Sequence, residues 1–156
     1  MAYTTPKAVV DNLYTVVKGL DPDGPAKGGG YKYEPRSGAS DWDSVPESDR
    51  DRRFTIENLH RAEIQMFGTI NEIDYGGTFD LHIMHNIGKE ERDFMVRRDA
   101  DLYQIMEELE KKANWDGSIP GVSLIRLASY TILRTTDKKH WHSVLKFGIN
   151  FALAAP

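Results

Sequence analysis

The sequence contains no cysteine. A chain without cysteine has no disulfide framework, no thiolate zinc site and no cysteine nucleophile. It also lacks any apolar run of about 18 residues, the length that spans a bilayer. Residues 1–10 do not follow the basic-then-apolar pattern of a signal peptide. We therefore expect a protein that stays in the cytoplasm where it is made and has no membrane partner.

Positive charge is not in surplus either. Lysine and arginine number 20 against 24 aspartate and glutamate residues, which gives a net charge of -4. Proteins that wrap duplex DNA neutralise its phosphates with a basic surplus, so this balance disfavours that class. The length of 156 residues, with 40% hydrophobic and 28% charged residues, is typical of one soluble domain with its own core.

The first helix and the loop after it are marked by a change of pattern. Thr5 followed by Pro6 is typical of a helix start, and apolar residues recur at helical spacing until Gly19. From residue 20 to residue 52 this periodicity disappears, and proline, glycine, serine and aspartate dominate. Such long loops are uncommon unless they bind something. We therefore expect the loop to matter to partners rather than to stability, with its aromatic residues ordered against a partner: Tyr31, Tyr33 and Trp42.

Two hairpins are predicted from alternating apolar residues. In the first, alternation runs from Phe54 to Ile70 with an irregularity near Asn58 and His60, a turn falls at residues 74–77, and a second strand follows. In the second, residues 122–134 and 145–153 form strands joined by the polar residues 135–139.

Between the hairpins, Asp99 is a predicted N-cap for an amphipathic helix that carries Leu102, Ile105 and Leu109 on one face and ends near Asp116. The sequence thus predicts an α+β fold: an antiparallel sheet of about four strands in two hairpins, with an N-terminal helix and a central amphipathic helix packed on it. We expect a single domain over residues 1–156 that includes the long loop.

The histidines are the strongest candidates for chemistry. His82 and His85 point to opposite faces if they lie on a strand, so they could not share a metal without a bulge. His140 and His142 could share a face, but two imidazoles leave a zinc site incomplete. The segment Gly28–Gly30 lacks the lysine and the helix start of a phosphate-binding loop. We therefore predict no catalytic residue, no cofactor and no metal ligand.

The C-terminal third contains the most informative segment. Residues 127–153 read LASYTILRTTDKKHWHSVLKFGINFAL: a strand, the pair Arg134 and Asp137 at a turn, then Trp141 at the start of a last alternating strand. This segment resembles the end of phage tail terminator proteins, which cap a finished tail tube. The predicted order of helix, hairpin, helix and hairpin is similar to that family as well.

The resemblance implies a virion protein of the tail or neck, present in the host cytoplasm before assembly. It implies a homohexameric ring that binds the tail tube protein on one face and the head-tail connector on the other, while genomic DNA passes through without sequence-specific binding. The predicted interface residues are Tyr31, Tyr33, Trp42, Arg134, Asp137 and Trp141, and Trp141 is expected to be buried or at a subunit boundary.

Three other functions remain open from the sequence. One is another neck or tail ring protein, such as a head-closure or tube component. A second is a small metal-dependent enzyme that uses the histidines. A third is an adaptor that binds a linear peptide along a sheet edge.

Overall fold

A computed structural model describes residues 5–22, 30–33, 45–65, 72–114 and 119–154. The described elements are, in chain order, α1 (Pro6–Lys18), β1 (Lys32–Tyr33), a short 3-10 helix (Glu47–Asp49), β2 (Arg53–Gln65), β3 (Glu72–Asn86), α2 (Glu91–Asn114), β4 (Val122–Arg134) and β5 (His140–Ala154). The strands form one sheet in the order β1-β2-β3-β5-β4. Only the two-residue β1 pairs in parallel; the four long strands are antiparallel. The predicted α+β fold with two hairpins and two helices is confirmed.

Helix α1 begins and ends where its capping residues indicate. The Thr5 hydroxyl accepts a hydrogen bond from the backbone N–H of Ala8 at 3.1 Å, and Pro6 occupies the first helical position. The helix stops at Gly19, whose N–H still bonds back into the last turn. One face is fully buried, through Val9, Leu13 and Val17. This apolar stripe packs α1 onto β2 and α2, as predicted.

The two faces of the sheet have different roles. Alternate residues of β3 and β5 point to the side that both helices cover, where the rings of Phe79 and Phe147 stack at 5.1 Å between centroids. We call this side the helix face, and its core includes Leu102, Ile105 and Leu109 of α2. On the opposite face, Met84 is buried beneath Val45.

Helix α2 is longer than predicted, because it begins at Glu91 rather than at Asp99. Glu91 and Asp93 lie in its first turn, where carboxylates interact favourably with the helix dipole. The early turns do not show apolar periodicity, because an inward-facing side chain there, Arg98, is charged although it is buried. The helix ends at Asn114, close to the predicted end, while residues 115–118 lie outside the described part.

The predicted turn at residues 74–77 is wrong. These residues lie inside β3, where Gly76 and Gly77 pair with Asn150 and Ile149 of β5. On their other side they meet a register shift of β2, and glycine within a strand is typical of such an irregularity. An earlier shift in β2, between residues 57 and 60, confirms the irregularity predicted near Asn58 and His60. Residues 66–71, which join β2 to β3, lie outside the described residues.

Part of the long loop belongs to the core. The Tyr31 side chain is only 3% exposed, and the N–H of Lys32 donates to the carbonyl of Arg52 at 2.9 Å. At Gly30 the chain passes so close to the carbonyl of Leu20 that a Cβ would lie 2.9 Å from it. The expectation that the loop matters only to partners is therefore wrong for residues 30–33. Residues 23–29 and 34–44, which include Trp42, lie outside the described part.

Neither α1 nor α2 is long and apolar enough to cross a membrane, and no other α-helix occurs in the described residues.

Candidate functional site

The tip of the second hairpin is closed by Asp137. Its carboxylate accepts hydrogen bonds from the Thr135 hydroxyl and, at 3.0 Å, from the backbone N–H of Lys139. These two bonds hold the pKa of Asp137 below its usual range. Lys138 takes a left-handed backbone conformation with φ 61°, which completes the turn. Asp137 thus has a local role in shaping the tip.

Arg134 and Trp141 flank this turn and face each other across β4 and β5. Trp141 is 3% exposed, so its predicted burial is confirmed. The guanidinium of Arg98 lies 4.6 Å from the centre of the Trp141 ring, a cation–π contact. Arg134 forms an ion pair with Glu91 at the start of α2. The hairpin tip is therefore attached to the first half of α2 on both sides.

A buried ionic cluster lies beside Trp141 and joins three distant segments. Arg52, just before β2, donates from Nε and Nη2 to the two carboxylate oxygens of Asp101 on α2, at 2.7 and 3.1 Å. Nε2 of His85, near the end of β3, lies 2.9 Å from the same carboxylate. All three side chains are 1 to 2% exposed.

The electrostatics of this cluster favour an ionised carboxylate. Burial alone would raise the pKa of Asp101, but the hydrogen bonds from His85 and Arg52 and their charges outweigh it, so the pKa lies below the usual value. A substrate could not reach Asp101 or His85 in this arrangement, because both are enclosed by protein. The cluster therefore acts as a clamp between α2 and the sheet.

A second ion pair extends the clamp toward the surface. Asp51 accepts two hydrogen bonds from the guanidinium of Arg97, at 3.1 and 2.6 Å, and one from the N–H of Asn86 at 3.0 Å. Burial opposes ionisation of Asp51, but these bonds lower its pKa overall. Residues 51 and 52 thus both reach α2, one through each ion pair.

Tyr31 is held by α2 as well. Its hydroxyl donates to Oε1 of Gln104 at 2.9 Å, and Nε2 of the same glutamine donates to the carbonyl of Asp21 at 2.8 Å. Burial and the neighbouring Asp101 charge raise the pKa of the Tyr31 phenol. The structure therefore corrects the prediction that Tyr31 contacts a partner: its side chain is used inside the subunit.

The opposite face of the sheet carries a histidine pair. Nδ1 of His82 and Nε2 of His142 lie 2.9 Å apart, so one ring donates and the other accepts. Burial, followed by the neighbouring His82, lowers the pKa of His142 to about 4. As predicted, His82 and His85 point to opposite faces. The partner of His142 is on the adjacent strand rather than at His140.

Metal ligands are not clustered among the described residues: no group of three histidine, aspartate or glutamate side chains there could hold an ion. Glu57 approaches His82, with 3.7 Å between Oε2 and Nε2, but on the ring nitrogen that faces away from His142. The three side chains therefore do not converge on one point.

Large apolar side chains are exposed at two places. The first is β4, where Tyr130 and Leu133 are 60% and 57% exposed; they are three residues apart in unbroken register with β5, so they lie on opposite faces of the sheet edge. Strand β4 is at the end of the sheet and has β5 as its one neighbour among the described strands. The second, the helix patch, lies on the outer side of α2 and consists of Met95, Val96 and Tyr103, at 41%, 63% and 64% exposure.

These exposed apolar residues were not predicted from the sequence. The alternation of apolar residues along a strand does not show whether another strand pairs with its outer edge. Of the predicted interface residues, Arg134 and Asp137 are exposed and Trp141 is buried. The backbone of Tyr33 pairs with Phe54 in the sheet. Nothing in the described part places Trp42.

Comparison with known proteins does not assign this chain to a family. No model of a protein family matches the chain, and no curated protein matches its sequence. Function is therefore inferred from the residues and their geometry.

Proposed function

We propose that this chain is a tail terminator of a tailed phage: a virion subunit whose ring caps the tail tube, stops its polymerisation and joins the tail to the head connector. The observation that carries the proposal is the second hairpin. The residues that resemble the family's ending, Arg134, Asp137 and Trp141, form one unit in which Asp137 closes the turn and the other two contact α2.

The arrangement of elements supports the same proposal. The chain contains helix, hairpin, helix and hairpin in the order of that family, and one sheet carries both helices on one face. A closed ring requires a heterologous interface, in which one surface meets a different surface on the neighbour. The edge strand β4, with its exposed Tyr130 and Leu133, and the helix patch on α2 are two unlike regions of this kind.

The clamp supports a structural role rather than a catalytic one. Arg52, His85 and Asp101 are a set of groups that an active site could use, yet they bind one another and are enclosed by protein. Their hydrogen bonds fix α2 on the sheet. A subunit that must keep its shape under load in a virion would use such a clamp.

The test is native mass spectrometry of the purified chain, alone and after mixing with tail tubes of the same virion. We expect a hexamer in solution, or six copies retained at tube ends, and an arrest of tube growth when the chain is added to polymerising tube protein. A monomer that neither binds tubes nor limits their length would refute the proposal.

A matched pair of variants ties the result to the hairpin. Asp137→Ala removes the carboxylate that closes the turn and is expected to weaken capping. Thr136→Ala, an exposed change in the same turn, is expected to cap tubes as the unmodified chain does. Circular dichroism checks that both variants remain folded.

A further inference from the structure

We infer that two copies of this chain pair through the second half of β4, residues 128–134, which we call the open run. The two strands run antiparallel across a two-fold axis and join two sheets into one. The inference goes beyond the proposed function, because it concerns the free chain before any ring is built. The partner that binds the open run is the same strand of a second copy.

The two halves of β4 differ in burial. In the first half two apolar residues are buried, and the N–H of Leu127 donates to Oε1 of Glu110 on α2 at 3.0 Å. In the open run every residue except Ile132 is exposed. Tyr130 lies on the helix face, opposite the core residue Leu145 of β5, yet it is 60% exposed. Helix α2 therefore does not cover this half of the strand.

The open run has the features of a strand that pairs with another strand. Its register with β5 is unbroken from Ser129 to Arg134, and β5 is its one neighbour among the described strands. Residues 128–133 read ASYTIL and contain no charge, proline or glycine. Charges, prolines and bulges are what normally protect an edge strand. An uncharged segment of this length and high β-propensity is prone to pair with a further strand.

The other edge of the sheet is a poorer partner for the open run. There β2 pairs with β1 at its start and has two register shifts with β3 further along. Bulges of this kind interrupt the regular row of backbone groups that a new strand needs. In the described part of the chain the unprotected edge is therefore β4, and the strand that matches it is β4 of a second copy.

The sequence of the open run is self-complementary about its midpoint, Thr131. In antiparallel pairing, residues at equal distances from the midpoint lie opposite each other and on the same face. Tyr130 of each copy then faces Ile132 of the other, and an aromatic residue opposite a β-branched residue is a favourable pair. Arg134 of each copy faces Ala128 of the other, so this register places no cation directly opposite a cation.

The dimer has a role before assembly. An unprotected edge can pair with other chains and cause aggregation, and pairing with a second copy covers it. One strand of seven residues is a small contact, and small interfaces are weak. The dimer can therefore open when β4 is needed for a contact in the ring.

A cross-linking test uses the absence of cysteine, because one introduced thiol reports one contact. Thr131→Cys places two thiols opposite each other at the axis, where the Cα separation of paired strands suits a disulfide. Ser123→Cys is the control: Ser123 is exposed on the same strand, outside the open run. When the free chain is oxidised under native conditions, we expect about tenfold more cross-linked dimer from Thr131→Cys than from Ser123→Cys. Equal yields would overturn the inference.

A charge swap at the axis tests the two-fold symmetry itself. Thr131→Lys and Thr131→Glu each place like charges opposite each other and should be monomers, whereas an equal mixture of the two should form a dimer. Ser123→Lys should dimerise as the unmodified chain does. Native mass spectrometry counts the copies, and circular dichroism checks that each variant is folded. Dimers of either Thr131 variant alone, or no dimer in the mixture, would contradict the assigned axis.

Failure of this inference can be told from failure of the proposed function. A chain that caps tubes but gives no excess cross-link at position 131 refutes the dimer and leaves the tail function standing. A chain that cross-links at position 131 but neither binds tubes nor limits their length refutes the tail function and leaves the dimer standing.

Discussion

At Arg52 two unfavourable features coincide in one residue. Its backbone is left-handed, with φ 58°, a conformation that costs a non-glycine residue roughly 1–2 kcal/mol. Its guanidinium is also buried, which is unfavourable unless an anion and hydrogen bonds compensate for lost water. Asp101 supplies both carboxylate oxygens, and His85 holds that carboxylate in place. Arg52 is therefore tolerated only while α2 is docked.

Asp101→Asn should therefore strongly reduce the free energy of unfolding. It leaves the Arg52 charge buried without its anion, and breaking a buried pair in this way typically costs about 3–5 kcal/mol. Glu107→Gln is the matched control, because Glu107 lies six residues from Asp101 on the same helix and is exposed. That change should cost no more than about 1 kcal/mol. Urea unfolding at neutral pH measures both, and similar losses would contradict the clamp.

The histidine pair on the opposite face should make stability depend on pH. The pKa of His142 is about 4 in the folded chain against a usual 6.5, because burial and then His82 disfavour its charged form. Below pH 6.5 the unfolded chain therefore binds a proton that the folded chain does not. Stability should fall as pH decreases from 6.5 toward 4, and His142 should have no effect above that window.

The measurement is the urea midpoint across this pH range. His142→Gln should reduce the loss without abolishing it, since burial also lowers the pKa of His140. Lys146→Gln changes an exposed charge on the same strand and should keep the full loss. If the urea midpoint changes with pH equally in all three chains, His142 is not a cause of the loss of stability.

At the scale of elements, the junction between β3 and α2 depends on one glycine. A Cβ on Gly88 would overlap the ring of Phe94, which folds back from the first turn of α2. Gly88→Ala should therefore displace the start of α2 and cost about 1–3 kcal/mol, as overpacking does. In a Phe94→Ala background the same change should cost less than about 0.5 kcal/mol, because the clash is gone. Equal costs in both backgrounds would show that Phe94 is not the cause.

Elements with strictly local signals were predictable. Thr5, Pro6 and Gly19 define α1 from the sequence because capping depends on neighbouring residues. The alternation in β5 fixed its inward residues for the same reason. The first eight of the 24 residues of α2 were missed, because Arg98 occupies an inward position where an apolar residue was expected. The burial of Arg98 depends on a partner elsewhere in the chain, Trp141, which periodicity does not record.

The clamp itself could not be predicted from local patterns. Arg52 and Asp101 are 49 positions apart, and His85 and Asp101 are 16 apart. Arg52 resembled the charged end of a loop, and His85 resembled a surface histidine. Only the docking of α2 on the sheet brings them together. The hairpin tip was predictable in outline, because the turn through Asp137 is local.

For the whole molecule, charge is unevenly distributed along the chain. The net charge is -4, although the second hairpin is basic. If copies of this chain associate in a ring, this asymmetry contributes to the attraction between the basic hairpin of one copy and acidic surface of the next. Salt should therefore weaken self-association, since exposed charges are screened beyond about 8 Å at physiological ionic strength.

The salt prediction can be checked by light scattering or native mass spectrometry at rising sodium chloride concentration. The fraction assembled should fall as salt rises, and Arg126→Gln with Lys146→Gln should flatten that dependence. A control, Lys7→Gln on α1, changes an exposed lysine outside the second hairpin and should leave the dependence unchanged. Association that strengthens with salt would indicate a contact dominated by apolar burial instead.

The clamp also bears on the order in which the protein folds. Hairpin β2–β3 is complete in sequence before α2 begins, and each hairpin can form through contacts between neighbouring strands. Arg52, just before β2, nevertheless gains its ion pair with Asp101 only when the chain closes the 49-residue separation between them. Closing long separations is entropically slow. We therefore expect the Arg52 guanidinium to leave water only when α2 docks on the sheet, so that docking of this helix is a late step in folding.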